Sequence, residues 1–299
     1  MPISYSLELP TQRVDAGAEF VSASAISDVA RAAEEAGFAA VHVTDHPAPD
    51  AKWLDHGGHH ALDPFVALSF AAAATSTVKV LTNVYIAAYR NPFLGAKSIQ
   101  SLAVLSGNRL IVGAAAGYLK PEFRAWESTS TRAARFSTKL STCCRKSSPA
   151  PTSLCGQLVL GQGRAAASAT GDRTADLDRR EQQARRTPGV THAQGWAPFN
   201  TFGYAAASRT AEISTLDELE SAITWPAPMP PRSAGRNRWT SASRRQPARR
   251  RSVDRRTARD RRPAGRCRGV TWLTIAPAGH DRAEYVELAA AFAKEFITT

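Results

Sequence analysis

Apolar and polar positions alternate with two different periods in the first part of the chain. Residues 3 to 9 read as a strand closed by Pro10. From Ile26 the apolar residues Ile26, Val29, Ala30 and Ala33 recur at helical spacing, and Gly37 follows where a helix would need its C-terminal cap. The short apolar run Phe38 to Val43 then reads as a buried strand. Asp63 before Pro64 pairs an N-cap with a proline at the first helical position, which predicts a helix ending near Thr75, followed by a strand from Val78 to Val84. Asn91 and Pro92 repeat that opening for a helix to about Leu105, Ser106-Gly107-Asn108 supplies a turn, and Arg109 to Ala116 forms the next strand.

Four strands alternating with three helices imply parallel pairing, since each right-handed crossover returns the chain to the same end of the sheet. The expected class is α/β, and 299 residues suffice for two domains or for one (β/α)8 barrel. In such folds chemistry gathers at the C-terminal ends of the strands. Those ends carry Glu8, Asp45-His46, Asn83-Val84 and Gly117-Tyr118. His46 follows a buried strand, stands beside an acid and precedes Pro47 and Pro49, so it lies on a stiff loop where an imidazole suits proton transfer. The other reading is a loop histidine satisfied by local hydrogen bonds. His56, His59 and His60 lack a matching carboxylate spacing and read as a solvated loop rather than a metal site. Gly113 and Gly117 bracket a strand end where backbone could approach a planar cofactor closely, or simply make a turn.

Composition changes this picture in one respect. The net charge is +12, which would ordinarily suggest an anionic partner, but the charge is local. Residues 225 to 268 hold fifteen arginines, no lysine and two acids, and residues 126 to 193 hold eleven basic residues against five acids. The rest of the chain is net acidic. All four cysteines (Cys143, Cys144, Cys155 and Cys267) fall in the two basic stretches, with no CxxC and no histidine at zinc spacing, so neither a disulfide framework nor a metal site is indicated. The start MPISYSLELP has no basic region before an apolar core, and no apolar run approaches the ~20 residues of a membrane helix. The expectation is a soluble cytoplasmic protein with no membrane association.

The strand-end TDH at 44 to 46, the NP helix opening at 91 to 92 and LSGNRLIVGAAAGYLKPEF at 105 to 123 together resemble the luciferase-like monooxygenase superfamily, in particular its branch using the deazaflavin coenzyme F-420. GWAPFNTFGYAAASRTAEISTLDELESAI at 195 to 223 and GVTWLTIAPAGHDRAEYVELAAAFAKEFI at 269 to 297 resemble later blocks of the same branch, in the family's order. The resemblance implies a TIM barrel that binds F-420 or FMN at its C-terminal mouth and passes hydride between the ring and a small organic substrate. It implies His46 as the proton-handling residue and Asp45 as its neighbour at the ring edge. It further implies Asn83-Val84 as a bulge, often a non-proline cis peptide, pressed against the ring, with Gly117 and Tyr118 also on the cofactor. Tyr118 stands where the sugar-phosphate-oxidising members carry Glu, which argues against that substrate class. The family is often dimeric, so a homodimer is allowed.

Two stretches depart from the family pattern. Between Trp126 and Ala193 the family has GVDFDER, a helix, and a strand written roughly PPIWIGGNS whose glycine loop cradles the cofactor phosphate; this chain has none of these. Ala175 to Arg186, ADLDRREQQARR, can be back-translated so that a reading one nucleotide along gives PIWIGGNSKLA. Asn237 to Ser243 can likewise yield PLDVCF, a plausible seventh strand. Both stretches therefore read as frameshifted translations of a GC-rich gene. The alternatives are solvated basic insertions or, for 225 to 268, a nucleic-acid-binding arm acting through phosphates. Apart from Trp225 at its edge, Trp239 is the one stacking ring inside that block, so the aromatic interleaving of such arms is nearly absent. The division expected is a first half-barrel at 1–125, a discordant segment at 126–193, a barrel strand and substrate loop at 194–224, a disordered Arg-rich segment at 225–268, and the last strand and helix at 269–299. The barrel is expected to be interrupted at strands 5 and 7. Loss of the glycine loop would remove a backbone anion site and with it cofactor affinity and activity.

Overall fold

The computed structural model describes residues 3–115, 117–125, 157–161, 195–197, 239–243 and 270–297. Within them eight parallel strands close into a barrel in sequence order: β1 (Ser4–Glu8), β2 (Ala40–Val43), β3 (Lys79–Ile86), β4 (Leu110–Ala115), β5 (Gln157–Gly161), β6 (Gly195–Ala197), β7 (Trp239–Ser243) and β8 (Trp272–Ile275). Closure comes from β1 pairing β8, with Ser4 opposite Trp272 and Leu7 opposite Ile275.

At strands 5 and 7, where an interruption is expected, the described backbone is paired. β5 joins β4 through Ile111↔Gln157 to Ala114↔Leu160, and β7 joins β8 through Ser241↔Trp272 to Ser243↔Thr274. A ladder is made by main-chain groups that every non-proline residue carries, and neither QLVLG nor WTSAS contains proline. The edges of β4 and β8 would otherwise be left unpaired. The boundaries expected inside 126–156, 162–194, 198–238 and 244–269 lie outside the described residues.

The helices begin and end for local reasons that the sequence announces. α1 (Ala23–Glu35) starts where Ser22 Oγ accepts the Ala25 N–H at 3.1 Å. It ends at Gly37, whose φ of 87° suits a residue without Cβ, and the Phe38 N–H returns to the Ala33 carbonyl at 3.0 Å. α2 (Ala51–Asp55) is capped by Asp50. α3 (Pro64–Ala74) and α4 (Pro92–Leu105) follow the caps Asp63 and Asn91, each with proline at the first position. α5 (Lys120–Ala125) follows β4, and α6 (Arg282–Phe296) follows β8 with Asp281 accepting the Glu284 N–H. No helix among the described residues is long and apolar enough to cross a membrane.

The main core lies between the strands and the helices α1, α3, α4 and α6, built from residues such as Leu7, Val29, Val41, Leu68, Val80, Ile99, Leu110 and Tyr285. The opposite face of the strands fills the barrel. Ala40, Leu81, Ile111 and Trp272 pack together there, and Ser6 and His42 meet at 2.8 Å between Oγ and Nδ1. Two side chains knit α1, α3 and β3 together at the N-terminal end of the barrel. Glu34 accepts the N–H groups of Ser76, Thr77 and Val78 ahead of β3. Arg109 donates to the Ala72, Thr75, Val78 and Ser106 carbonyls and so satisfies the last turn of α3.

Candidate active site

The last paired residues of β2 and β3 are Val43 and Thr82, so Thr44-Asp45-His46 and Asn83-Val84 leave the C-terminal rim side by side. At Asn83-Val84 the β3–β4 ladder slips: Thr82 pairs with Val112 but Tyr85 pairs with Ala114, which inserts one extra residue into β3. The Asn83-Val84 peptide is cis. Asn83 is half-buried and Val84 buried, the latter packing with Ile86, Tyr89, Ala115 and Phe123 in a small apolar cluster at the rim.

Gly113 accommodates that bulge. A Cβ there would stand 2.2 Å from the Thr82 carbonyl oxygen, and Thr82 Oγ1 donates to the Gly113 carbonyl at 2.8 Å. Gly117 has φ of 83°, and its missing Cβ would meet Ile86 Cγ2 at 2.7 Å and the Tyr89 hydroxyl at 3.0 Å. The missing Cβ at each of these glycines thus makes room for β3 or the turn that follows it.

Asp45 and His46 are adjacent in sequence but differently employed. The Asp45 carboxylate is buried; Oδ2 accepts the Ile86 N–H at 2.9 Å and Arg90 Nη1 at 2.6 Å, and Oδ1 accepts Arg90 Nη2 at 3.0 Å. Burial raises its carboxyl from the usual range, and the Arg90 bonds and the Ile86 N–H oppose that rise. For Arg90, burial alone would lower the guanidinium, but the bonds from Asp45 and Asp63 outweigh it and raise it. Arg90 also reaches Asp63 Oδ2 at 3.0 Å, so one guanidinium ties the β2 loop, the end of β3 and the N-cap of α3. Both Asp45 oxygens are committed in this network.

His46 stands in a cage of rings. Its centroid is 4.4 Å from Trp53, 4.9 Å from His59 and 6.1 Å from Tyr118. Its Nδ1 lies 3.5 Å from Oε1 of Glu122, a carboxylate whose side chain is 2% exposed. The same Oε1 accepts the Ala48 N–H at 3.3 Å. Tyr89, whose hydroxyl donates to the Leu119 carbonyl at 3.4 Å, is raised from its ordinary value first by burial and next by Glu122.

Trp53, His59, Tyr89 and Glu122 were not anticipated as neighbours of His46. Glu122 sits in the KPEF run that carried part of the resemblance, which was its one signal, since Lys120 and Arg124 on either side make it look like an ordinary charged face. Trp53 and His59 arrive through α2 and the turn after it, where Gly58 has no space for a Cβ against Trp53. His59 Nδ1 lies 2.8 Å from the His60 carbonyl and His56 Nδ1 lies 2.6 Å from that of Lys52, so these histidines bind backbone. A groove of about 470 Å³ opens beside them, lined by Arg13, Asp15, Leu54, His59 and His60 among others. Thr44 Oγ1 is buried without a hydrogen-bond partner among the described residues, at the point where the rim opens. A planar group with a polar edge fits a rim so made: a bulged backbone step, a half-buried Asn83, an unsatisfied hydroxyl and a histidine braced from behind.

Residues 5–140 match the family model described as luciferase-like monooxygenase. An F-420-dependent hydroxymycolic acid dehydrogenase of Mycobacterium tuberculosis (strain ATCC 25618 / H37Rv) is 36% identical over 89 residues, 29% of this chain and 24% of that protein. This match spans about a quarter of the relative's length. A monooxygenase from Streptomyces bottropensis superposes with a TM-score of 0.61 at 16% identity, covering 99% of this chain and 98% of the other. The coenzyme F-420 dependent tetrahydromethanopterin reductase from Methanopyrus kandleri superposes with a TM-score of 0.56 at 14% identity, covering 97% and 98%. The two superpositions establish the likeness of fold.

Proposed function

We propose that this chain, which carries a luciferase-like monooxygenase domain over residues 5–140, is an oxidoreductase that binds F-420 or FMN at the C-terminal mouth of its barrel and acts on a small organic substrate. The observation that carries the reading is the pairing of the bulged Asn83-Val84 step with His46 on adjacent strand ends. Asn83 and Val84 would support the ring from one side, with Tyr118 and the backbone at Gly117 near its edge. When bound, the coenzyme supplies a ring position that gives or takes hydride. His46 holds or moves the accompanying proton at its imidazole. Trp53, His59 and Tyr118 limit the access of water to that imidazole, and the Asp45–Arg90 pair fixes the loop that carries it. The groove beside His59 is the proposed substrate side.

The test is a titration of the full chain with F-420 and, separately, with FMN, following ring absorbance. Saturable binding of either, weakened by the lack of the family's phosphate-cradling glycine loop, is expected, and the one that binds fixes the coenzyme. Absence of binding at high micromolar concentrations of both would refute the reading. We further read 126–193 and 225–268 as translations out of frame. Resequencing of the locus should find compensating single-base changes near codons 125, 193, 225 and 268; an uninterrupted frame would remove that explanation.

A further inference from the structure

We propose that Glu122 is the positioning residue of His46: its carboxylate selects the tautomer with the proton on Nδ1 and leaves Nε2 as the nitrogen that exchanges protons in the mouth. The proposal rests on the functional reading for its consequence but not for its chemistry.

The geometry is specific. Nδ1 of His46 and Oε2 of Glu122 are buried and lack a standard hydrogen bond among the described residues, while Nδ1 and Oε1 stand 3.5 Å apart. A small rotation of either side chain closes that gap. Oε1 is already held by the Ala48 N–H, two residues beyond His46, so the carboxylate is fixed to the loop it would serve. The rival partners of Glu122 are few. Arg90, the cation of this rim, is taken by Asp45 and Asp63. The titratable groups facing the pair are Tyr89 after β3, Tyr118 after β4, His59 after α2 and, behind them, Asp45. Tyr89 remains a neutral phenol, because burial and Glu122 both raise it. A buried carboxylate without a cation needs several hydrogen-bond donors; the Ala48 N–H supplies one, the Tyr89 hydroxyl lies within reach but also serves the Leu119 carbonyl, and the imidazole N–H is the donor on the side of Nδ1. Which ring nitrogen of a histidine carries the proton is set by the bond the other nitrogen makes. An acid behind an imidazole performs this role in unrelated hydrolases, where it orients the ring and does not itself exchange protons.

The experiment uses the full chain labelled with nitrogen-15 in histidine, without coenzyme. The nitrogen chemical shifts of His46, assigned by their loss in His46→Gln, should report Nδ1–H with an unprotonated Nε2. Glu122→Gln retains an acceptor oxygen and should keep that tautomer, whereas Glu122→Leu should switch it to Nε2–H. Circular dichroism of both variants checks that the fold is intact; should Glu122→Leu not fold, the wild-type spectrum decides alone. An Nε2–H signature in the wild type, or the same tautomer in a folded Glu122→Leu, overturns the proposal. If the wild type binds coenzyme and turns over, Glu122→Leu should lower kcat by about 100-fold with KM little changed, and Glu122→Gln should recover most of it. A wild type that binds no coenzyme defeats the functional reading and leaves the tautomer result standing on its own.

Discussion

β3 and β7 are both interior members of the same closed ring, each with a parallel neighbour on either side, and they differ in length and in the extent of their pairing. β3 runs for eight residues and pairs over four positions with β2 and five with β4. Its entry is held by Glu34 at Val78 and by Arg109 on the Val78 carbonyl, and its exit by Asp45 on the Ile86 N–H. β7 runs for five residues and pairs over two positions with β6 and three with β8. The family-model match covers the region of β3 and ends at residue 140, whereas likeness of fold covers both strands. Main-chain pairing runs through both strands, and at β3 the side chains of Glu34, Arg109 and Asp45 fasten the two ends as well.

The contrast can be broken at the fastenings. Asp45→Ala leaves Arg90 in place without its main partner and removes the acceptor of the Ile86 N–H; the expected loss is about 3–5 kcal/mol. It should appear as a lower denaturant midpoint at unchanged slope. A loss below about 0.5 kcal/mol, within the range of an ordinary surface substitution, would mean that the network is ornamental.

The same contrast is sharpened by one substitution made twice. Val80→Pro removes an N–H that donates to the Arg109 carbonyl at 3.1 Å, and should cost about 3 kcal/mol or more. Ser241→Pro, in β7, should cost clearly less. Equal losses would show that β7 contributes as much to stability as β3.

The smallest effect is one of pH. Burial would raise the Glu34 carboxyl, but the Val78, Thr77 and Ser76 N–H groups and the Thr77 hydroxyl outweigh it and pull it from 4.5 to about 2. The folded value lies below the unfolded one, so the stabilisation is complete above the unfolded value and is lost as pH falls towards the folded one. Glu34→Gln should therefore flatten the fall of the unfolding midpoint between pH 4.5 and about 2. An unchanged profile would take Glu34 out of the set that holds β3.

The four strands and the helices α1, α3 and α4 of the first 125 residues were legible because their ends carry their own punctuation. Asp63-Pro64, Asn91-Pro92, Gly37 and Gly107 mark ends whose chemistry is local, and the structure starts or stops a helix at each. Strand pairing at β5 and β7 was not legible, since a parallel ladder needs neither hydrophobic alternation nor a capping residue, only an available edge. In the candidate site the split is similar. His46 and Asn83-Val84 stand out by their place after apolar strands. The partners of His46 come from α2 and α5, and no periodicity links Trp53 or Glu122 to residue 46. Asp45 was visible as an acid beside a histidine, but its commitment to Arg90 depends on a contact 45 residues along the chain.

The missing Cβ of Gly113 bears on how this rim could change over generations. Any side chain at 113 collides with the Thr82 carbonyl while β3 keeps its extra residue, and β3 cannot shed that residue without shifting Asn83 and Val84 along the rim. A lineage leaving this arrangement must alter both strands together or pass through a poorly folded intermediate. The two neighbouring strands are in that sense a single hereditary character, which a family can lose but cannot easily edit.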